Sequence, residues 1–102
     1  MGVQIMVGAV INTGVRVEEN ALINTAATID HDCTIGPHSH IAPGAVLCGS
    51  VKIGDGCHIG TGAIIIQGVH IGDGVLIGAG SLVTSNIPSG AKAYGSPAII
   101  AN

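Results

Sequence analysis

The sequence contains no tryptophan and no phenylalanine, and Tyr94 is its only aromatic residue larger than histidine. A 102-residue chain that is 47% hydrophobic must therefore build its core from aliphatic and small side chains. Charge is scarce too: Asp, Glu, Lys and Arg make up 9% of the residues, against about a quarter in an ordinary soluble domain. Three basic residues and a net charge of −3 leave few cations for neutralising phosphates. One tyrosine makes no base-stacking platform, so a nucleic-acid partner is not expected. Long hydrophobic runs are missing as well. The longest strictly aliphatic run is Ile64-Ile65-Ile66, far short of the roughly 20 residues of a spanning helix. Met1-Gly2-Val3-Gln4 lacks the basic start of a signal peptide, and Met6 stands where a myristoylation signal wants Ser or Thr. Three cysteines without a CxxC spacing argue against a disulfide framework. The expectation is a single cytoplasmic domain without a membrane partner.

What the sequence has in abundance is glycine, seventeen of them, and a period of six. Stepping by six from Ile5 meets Ile11, Val17, Ile23, Ile29, Ile35, Ile41, Leu47, Ile53, Ile59, Ile65, Ile71, Ile77 and Val83, all aliphatic. Two residues before each comes a small or β-branched residue, from Val3, Ala9 and Val15 through Cys33, Ser39 and Cys57 to Val75 and Ser81. This period matches neither a helix nor a plain alternating strand; it suits a strand and a turn repeated around a triangular coil. Residues i−2 and i then point inward together, and the glycine-rich positions turn the corners. Three hexads make an 18-residue coil, so residues 18 apart stack in neighbouring rungs about 4.8 Å apart. Such a prism has no room for Phe or Trp.

This pattern resembles the hexapeptide-repeat acyltransferases. The resemblance implies an all-β fold, a single-stranded left-handed parallel β-helix of about four and a half coils over residues 1–86, with a closing loop and tail over 87–102. No hexad holds an insertion. Asn86-Ile87-Pro88-Ser89-Gly90 is expected to stop the coil, and Ala93-Tyr94-Gly95-Ser96-Pro97-Ala98 resembles the family's Gly-Asn-Pro-Ala closing loop, with Ser96 in place of Asn. Val3 and Ile5 begin the first coil with no cap before them.

The 18-residue register sorts the outward residues onto three sides. One carries Val10, Thr28, Val46, Ile64 and Leu82, an apolar stripe. A second carries Arg16, Thr34, Lys52 and His70, with Glu18, Glu19, Asp55 and Asp73 in its turns, and reads as solvated. The third carries Gln4, Leu22, His40, His58 and Leu76. A homotrimer buried through the Val10, Val46, Ile64 and Leu82 face is expected, because such a stripe marks an association surface and relatives of this type are trimers with active sites between subunits.

Once the solvated side and the tail lysine Lys92 are set aside, the charges left over are Asp30 and Asp32, which flank His31 in a turn bordering the stripe. A carboxylate beside a histidine fixes its tautomer and raises its basicity, the make-up of a general base. The run Ile29-Asp30-His31-Asp32-Cys33-Thr34-Ile35-Gly36, followed by Ser39-His40-Ile41-Ala42-Pro43-Gly44, resembles the sialic acid O-acetyltransferases and UDP-4-amino-sugar N-acetyltransferases. That resemblance implies acetyl transfer from acetyl-CoA to an amine or hydroxyl of a sugar or sugar nucleotide. His31 is then the base and Asp32 the residue that increases its basicity, while His40, Thr61 and Ala79 contact acetyl-CoA. Thr61 and Ala79 are 18 apart and so lie one above the other. Gly49, stacked on His31, offers a backbone N–H for the oxyanion.

Other readings compete. Asp-His-Asp in a turn can simply satisfy local backbone groups, and His40 can be a surface histidine stacked on His58. His38, His58 and His70 read as bland, and Cys33 and Cys57 fall at inward positions where cysteine acts as a small hydrophobe. Cys48 borders the stripe. A zinc enzyme of the γ-carbonic-anhydrase type shares the β-helix, but its H-x4-H spacing is absent and no metal is expected. A further alternative is a non-catalytic trimeric β-helix module lacking its acceptor-binding domain. Relatives with sugar acetyltransferase activity are about twice as long and carry an N-terminal α/β domain for the sugar nucleotide.

Overall fold

The computed structural model describes residues 2–101. Among the described residues, sixteen short strands, numbered here in chain order, wind into a triangular parallel β-solenoid of about five turns without a helix. The first sheet stacks β1 (Gln4–Ile5), β4 (Leu22–Ile23), β7 (His40–Ile41), β10 (His58–Ile59), β13 (Leu76–Ile77), β15 (Lys92–Gly95) and β16 (Ala98–Ala101). The second stacks β2 (Val10–Ile11), β5 (Thr28–Ile29), β8 (Val46–Leu47), β11 (Ile64–Ile65) and β14 (Leu82–Val83). The third stacks β3 (Arg16–Val17), β6 (Thr34–Ile35), β9 (Lys52–Ile53) and β12 (His70–Ile71).

The register is the one the hexads dictate. Gln4 pairs with Leu22, Leu22 with His40, Thr28 with Val46 and Ile64 with Leu82, each 18 residues apart. From Ile23 to Val83 the aliphatic position of each hexad is buried, and the small position two residues earlier is buried beside it. The small side chains let the three walls pack closely around the axis, which is why the core does without aromatic rings. Ser39 is a polar exception. Its hydroxyl donates to the Gly54 carbonyl at 2.7 Å and accepts from the Cys57 N–H at 2.9 Å, so the buried group is fully occupied.

The corners need left-handed backbone, and glycine supplies much of it, as at Gly44, Gly62 and Gly80. Asn20, Ala26, Asp32, His38 and Ser50 adopt the same conformation at other corners. On the first rung Ile5 is 52% exposed, and Met6 and Val7 are exposed beside it.

At the other end, Asn86–Gly90 shortens the winding instead of stopping it. Ile87 bridges Ile71 and Lys92 pairs with Leu76, so the last coil is 16 residues long. The Asn86 side chain accepts the His70 N–H at 2.8 Å, and the Ser89 hydroxyl accepts the Asp73 N–H at 2.8 Å. These side chains satisfy donors that the shortened coil has too few carbonyls to reach. Ala93 enters the core, and β16 then folds back antiparallel on β15, with Tyr94 opposite Ile99.

Candidate active site

His31 sits in the turn that leaves β5, at the corner between the second and third sheets. Two aspartates hold it in different ways. Asp30 Oδ1 accepts the His31 backbone N–H at 2.7 Å and the Asn12 side-chain amide at 3.2 Å, which fixes the turn. Asp32 Oδ2 lies 3.2 Å from His31 Nδ1. A carboxylate only accepts, so this contact puts the proton on Nδ1 and leaves the Nε2 lone pair free. The pair is open to solvent, His31 at 45% and Asp32 at 65%.

The neighbours on the same corner shape this pair. A Cβ on Gly14 would collide with the Asp32 carboxylate, and a Cβ on Gly49 would stand 2.6 Å from His31 Cε1 and Nε2. Glycine at 14 and 49 therefore gives the two side chains their places. The Ser50 N–H donates to the His31 carbonyl at 2.9 Å, which ties the two rungs together. Among the described residues the Gly49 N–H meets no acceptor, so a donor is left beside the imidazole. Asn12 and Gly14 escaped the sequence reading, although the 18-residue register places them directly against Asp30 and Asp32.

His40 lies on the first sheet. Asn24 Oδ1 accepts the Thr25 N–H at 2.7 Å, which turns its amide nitrogen toward His40 Nε2 at 3.1 Å. His40 Nε2 is therefore an acceptor and the ring is neutral. Burial, helped by the neighbouring His58, pushes the His40 pKa below its usual value. The two rings meet edge to face with centroids 4.8 Å apart. Asn24 is a second residue that the sequence reading missed.

Thr61 and Ala79 lie at a third location, the corner between the first and second sheets, where the Gly80 N–H donates to the Thr61 carbonyl at 2.8 Å. Among the described residues the N–H groups of Thr61 and Ala79 find no acceptor. The fold thus brings His31 to Asp32, His40 to His58, and Thr61 to Ala79. It does not bring the three groups together within one chain, because the whole second sheet separates the His31 corner from the Thr61 corner. Cys33 and Cys57 are buried and donate to carbonyls, Cys33 to Cys48 at 3.0 Å and Cys57 to Gly72 at 2.9 Å. Burial raises both thiol pKa values, so neither is an activated nucleophile.

Residues 14–49 and 50–85 match the bacterial transferase hexapeptide (six repeats) family. The acetyltransferase domain of PglB from Neisseria gonorrhoeae, solved in complex with acetyl coenzyme A, is 41% identical with a TM-score of 0.97, over 98% of this chain and 49% of that one. PerB from Caulobacter crescentus, solved with CoA and GDP-perosamine, is 36% identical with a TM-score of 0.94, over 98% of this chain and 51% of that one. An Arabidopsis UDP-N-acetylglucosamine acyltransferase is 30% identical with a TM-score of 0.80, over 90% of this chain and 30% of that one. The chain spans about half the length of PglB and PerB in these structures. On its repeats and its likeness along nearly its whole length, the chain belongs to the hexapeptide-repeat transferase family.

Proposed function

We propose that this chain is an acetyl-CoA-dependent acetyltransferase that acetylates an amine or hydroxyl of a sugar or sugar nucleotide, with His31 as general base. The observation that carries the reading is the Asp32–His31–Gly49 arrangement, in which an oriented imidazole faces outward next to a free backbone N–H. PglB binds acetyl coenzyme A and PerB binds CoA and GDP-perosamine, which supports this choice of donor and acceptor.

In this mechanism His31 Nε2 takes the acceptor's proton while the acceptor nitrogen or oxygen attacks the thioester carbonyl carbon. The Gly49 N–H donates to the oxyanion that forms. When the C–S bond breaks, the protonated His31 returns its proton to the departing thiolate, so no group on the protein is acylated. Asp32 keeps the Nδ1 proton in place and stabilises the imidazolium between the two transfers.

The free N–H groups of Thr61 and Ala79 suit the amide carbonyls of an extended pantetheine arm, with His40 near the same edge of the first sheet. Because this corner and the His31 corner lie on opposite sides of the second sheet, a complete site forms when the second sheets of neighbouring subunits face one another. The exposed Val10 (56%) and Ile64 (41%) on that sheet support the homotrimer.

The test is thiol release from acetyl-CoA with a panel of amino sugars, nucleotide-linked amino sugars, sialic acid, and small amines and alcohols. Release that depends on one acceptor class and disappears in His31→Ala is the expected result. Release no higher in the native protein than in His31→Ala throughout the panel would instead favour a non-catalytic module, a reading that draws on the half-length match to PglB and PerB.

A further inference from the structure

Directly after the core aliphatic residue of a hexad, three positions carry Asn or Asp: Asn12, Asn24 and Asp30. In all three, Oδ1 accepts the next backbone N–H at 2.7 Å, which closes the Thr13, Thr25 and His31 donors in turn. Residue 48 holds the same place in the register, 18 residues after Asp30, and is cysteine. Sulfur is a weak acceptor, and among the described residues the Gly49 N–H meets neither it nor any oxygen. Ile66, one rung further, leaves the Gln67 N–H open in the same way. The corner between the third and first sheets behaves differently. There Pro37 has no N–H, the Asp55 N–H donates to Asp73 Oδ1 and the Asp73 N–H donates to the Ser89 hydroxyl, each at 2.8 Å. Whether a corner donor is open is thus decided by neighbouring side chains, and at Gly49 by the residue before it.

We propose that residue 48 is a positioning residue for acetyl transfer: by carrying no side-chain oxygen, it keeps the Gly49 N–H available to the oxyanion. This rests on the acetyltransferase reading above and adds to it the residue that governs the oxyanion donor. As the acceptor attacks, the thioester carbonyl oxygen takes up the π electron pair, and the Gly49 N–H donates to it. When the C–S bond breaks, the pair returns to the carbonyl and the thiolate leaves with the proton from His31. An N–H already bound by an Asn or Asp side chain would have to surrender that bond before it could serve.

Cys48→Asn copies the side chain that closes this corner at Asn12. The coil already accepts asparagine in this column, so the variant is expected to melt at or above the native temperature. Its Gly49 amide proton is expected to move downfield in NMR spectra, and kcat for acetyl transfer to fall about a hundredfold, the size of one lost oxyanion donor. KM for acetyl-CoA stays unchanged, because the donor acts on charge that develops only during the reaction. Cys48→Asp, the copy of Asp30, closes the same donor and loses at least as much. Cys48→Val, the conservative variant without oxygen, keeps the native kcat, as the aliphatic Ile66 in the same column allows.

A Cys48→Asn variant with the shifted Gly49 amide and native kcat would overturn the assignment, as would an unshifted amide. Equal loss in Cys48→Asn and Cys48→Val would overturn it too, since the sulfur itself would then be the functional group. Acetyl transfer absent from the native protein with every acceptor of the panel would remove the acetyltransferase reading and this role with it, so the native rate tells the two failures apart.

Discussion

The imidazole of His31 lies across Gly49 one rung away, with a Cβ at position 49 only 2.6 Å from Cε1 and Nε2. Gly49 is not among the residues with positive φ, so alanine is acceptable to the backbone and only the ring objects. Gly49→Ala is expected to fold with an almost native melting temperature while kcat for acetyl transfer falls about a hundredfold, because a general base must sit within hydrogen-bond reach of its proton. Steady-state kinetics alongside thermal melting checks this. A variant with native kcat would mean that the ring is not held where the reaction needs it.

Asp30 and Asp32 flank the same histidine but do different work. Asp30 accepts the His31 N–H and the Asn12 amide, whereas Asp32 faces Nδ1. Asp32→Asn suits the left-handed backbone at this position and removes only the charge behind the ring. It is expected to lower kcat by about tenfold to a hundredfold with KM for acetyl-CoA unchanged, against a loss of about 10²–10⁴ for His31→Ala. Asp30→Ala is expected to lower the melting temperature as well, since it strands two donors. Identical profiles for the two aspartate variants would argue against this division.

The coil was legible in the sequence because each hexad repeats one inward aliphatic and one inward small residue, and stacking leaves no freedom in register. The pairing of His40 with His58 and of Thr61 with Ala79 followed from the same arithmetic. Two features were hidden. The last coil drops two residues, so the core positions reappear at Ile87 and Ala93 instead of at Ser89 and Gly95, and a fixed step of six passes over them. The side-chain contacts of Asn12 and Asn24 also escaped notice, since they depend on how each amide is turned, and the neighbouring Thr13 and Thr25 N–H groups decide that.

Val10 and Ile64 are the most exposed residues of the apolar stripe on the second sheet. A lysine at position 64 would carry a charge into the centre of the proposed trimer contact, where burying it unpaired costs several kcal/mol. Ile64→Lys is expected to shift the mass found by light scattering from trimer to monomer and to abolish acetyl transfer, because each site would lose the subunit that completes it. Within one subunit the substitution is harmless, since Ile64 points outward. A native protein of monomer mass at micromolar concentration would refute the trimer.

The Cys33 and Cys57 thiols are buried, hydrogen-bonded to carbonyls and raised in pKa, whereas Cys48 is half-buried at the edge of the stripe. Alkylation depends on access and on thiolate. Iodoacetamide on the native protein is therefore expected to modify Cys48 first, and Cys33 and Cys57 only on unfolding, as peptide mass mapping would show. Early loss of Cys33 or Cys57 would contradict the packing described.

His40 gives the protein an acid-sensitive contact of predictable sign. Burial and the neighbouring His58 lower its pKa, and Asn24 donates to Nε2, a bond only the neutral ring accepts. Above the unfolded pKa of about 6.5 both folded and unfolded chains carry neutral histidine. As pH falls below that value the unfolded chain binds a proton that the folded one resists, so stability is lost toward acid until His40 itself titrates. Asn24→Asp still accepts the Thr25 N–H but presents a carboxylate to Nε2, which favours the imidazolium and raises the folded pKa. The acid-side loss should then shrink or reverse. Melting temperatures from about pH 8 to about pH 5, together with an NMR titration of the His40 ring, are the measurements. A wild-type slope identical to that of His40→Gln would show that this contact is not the acid-sensitive one.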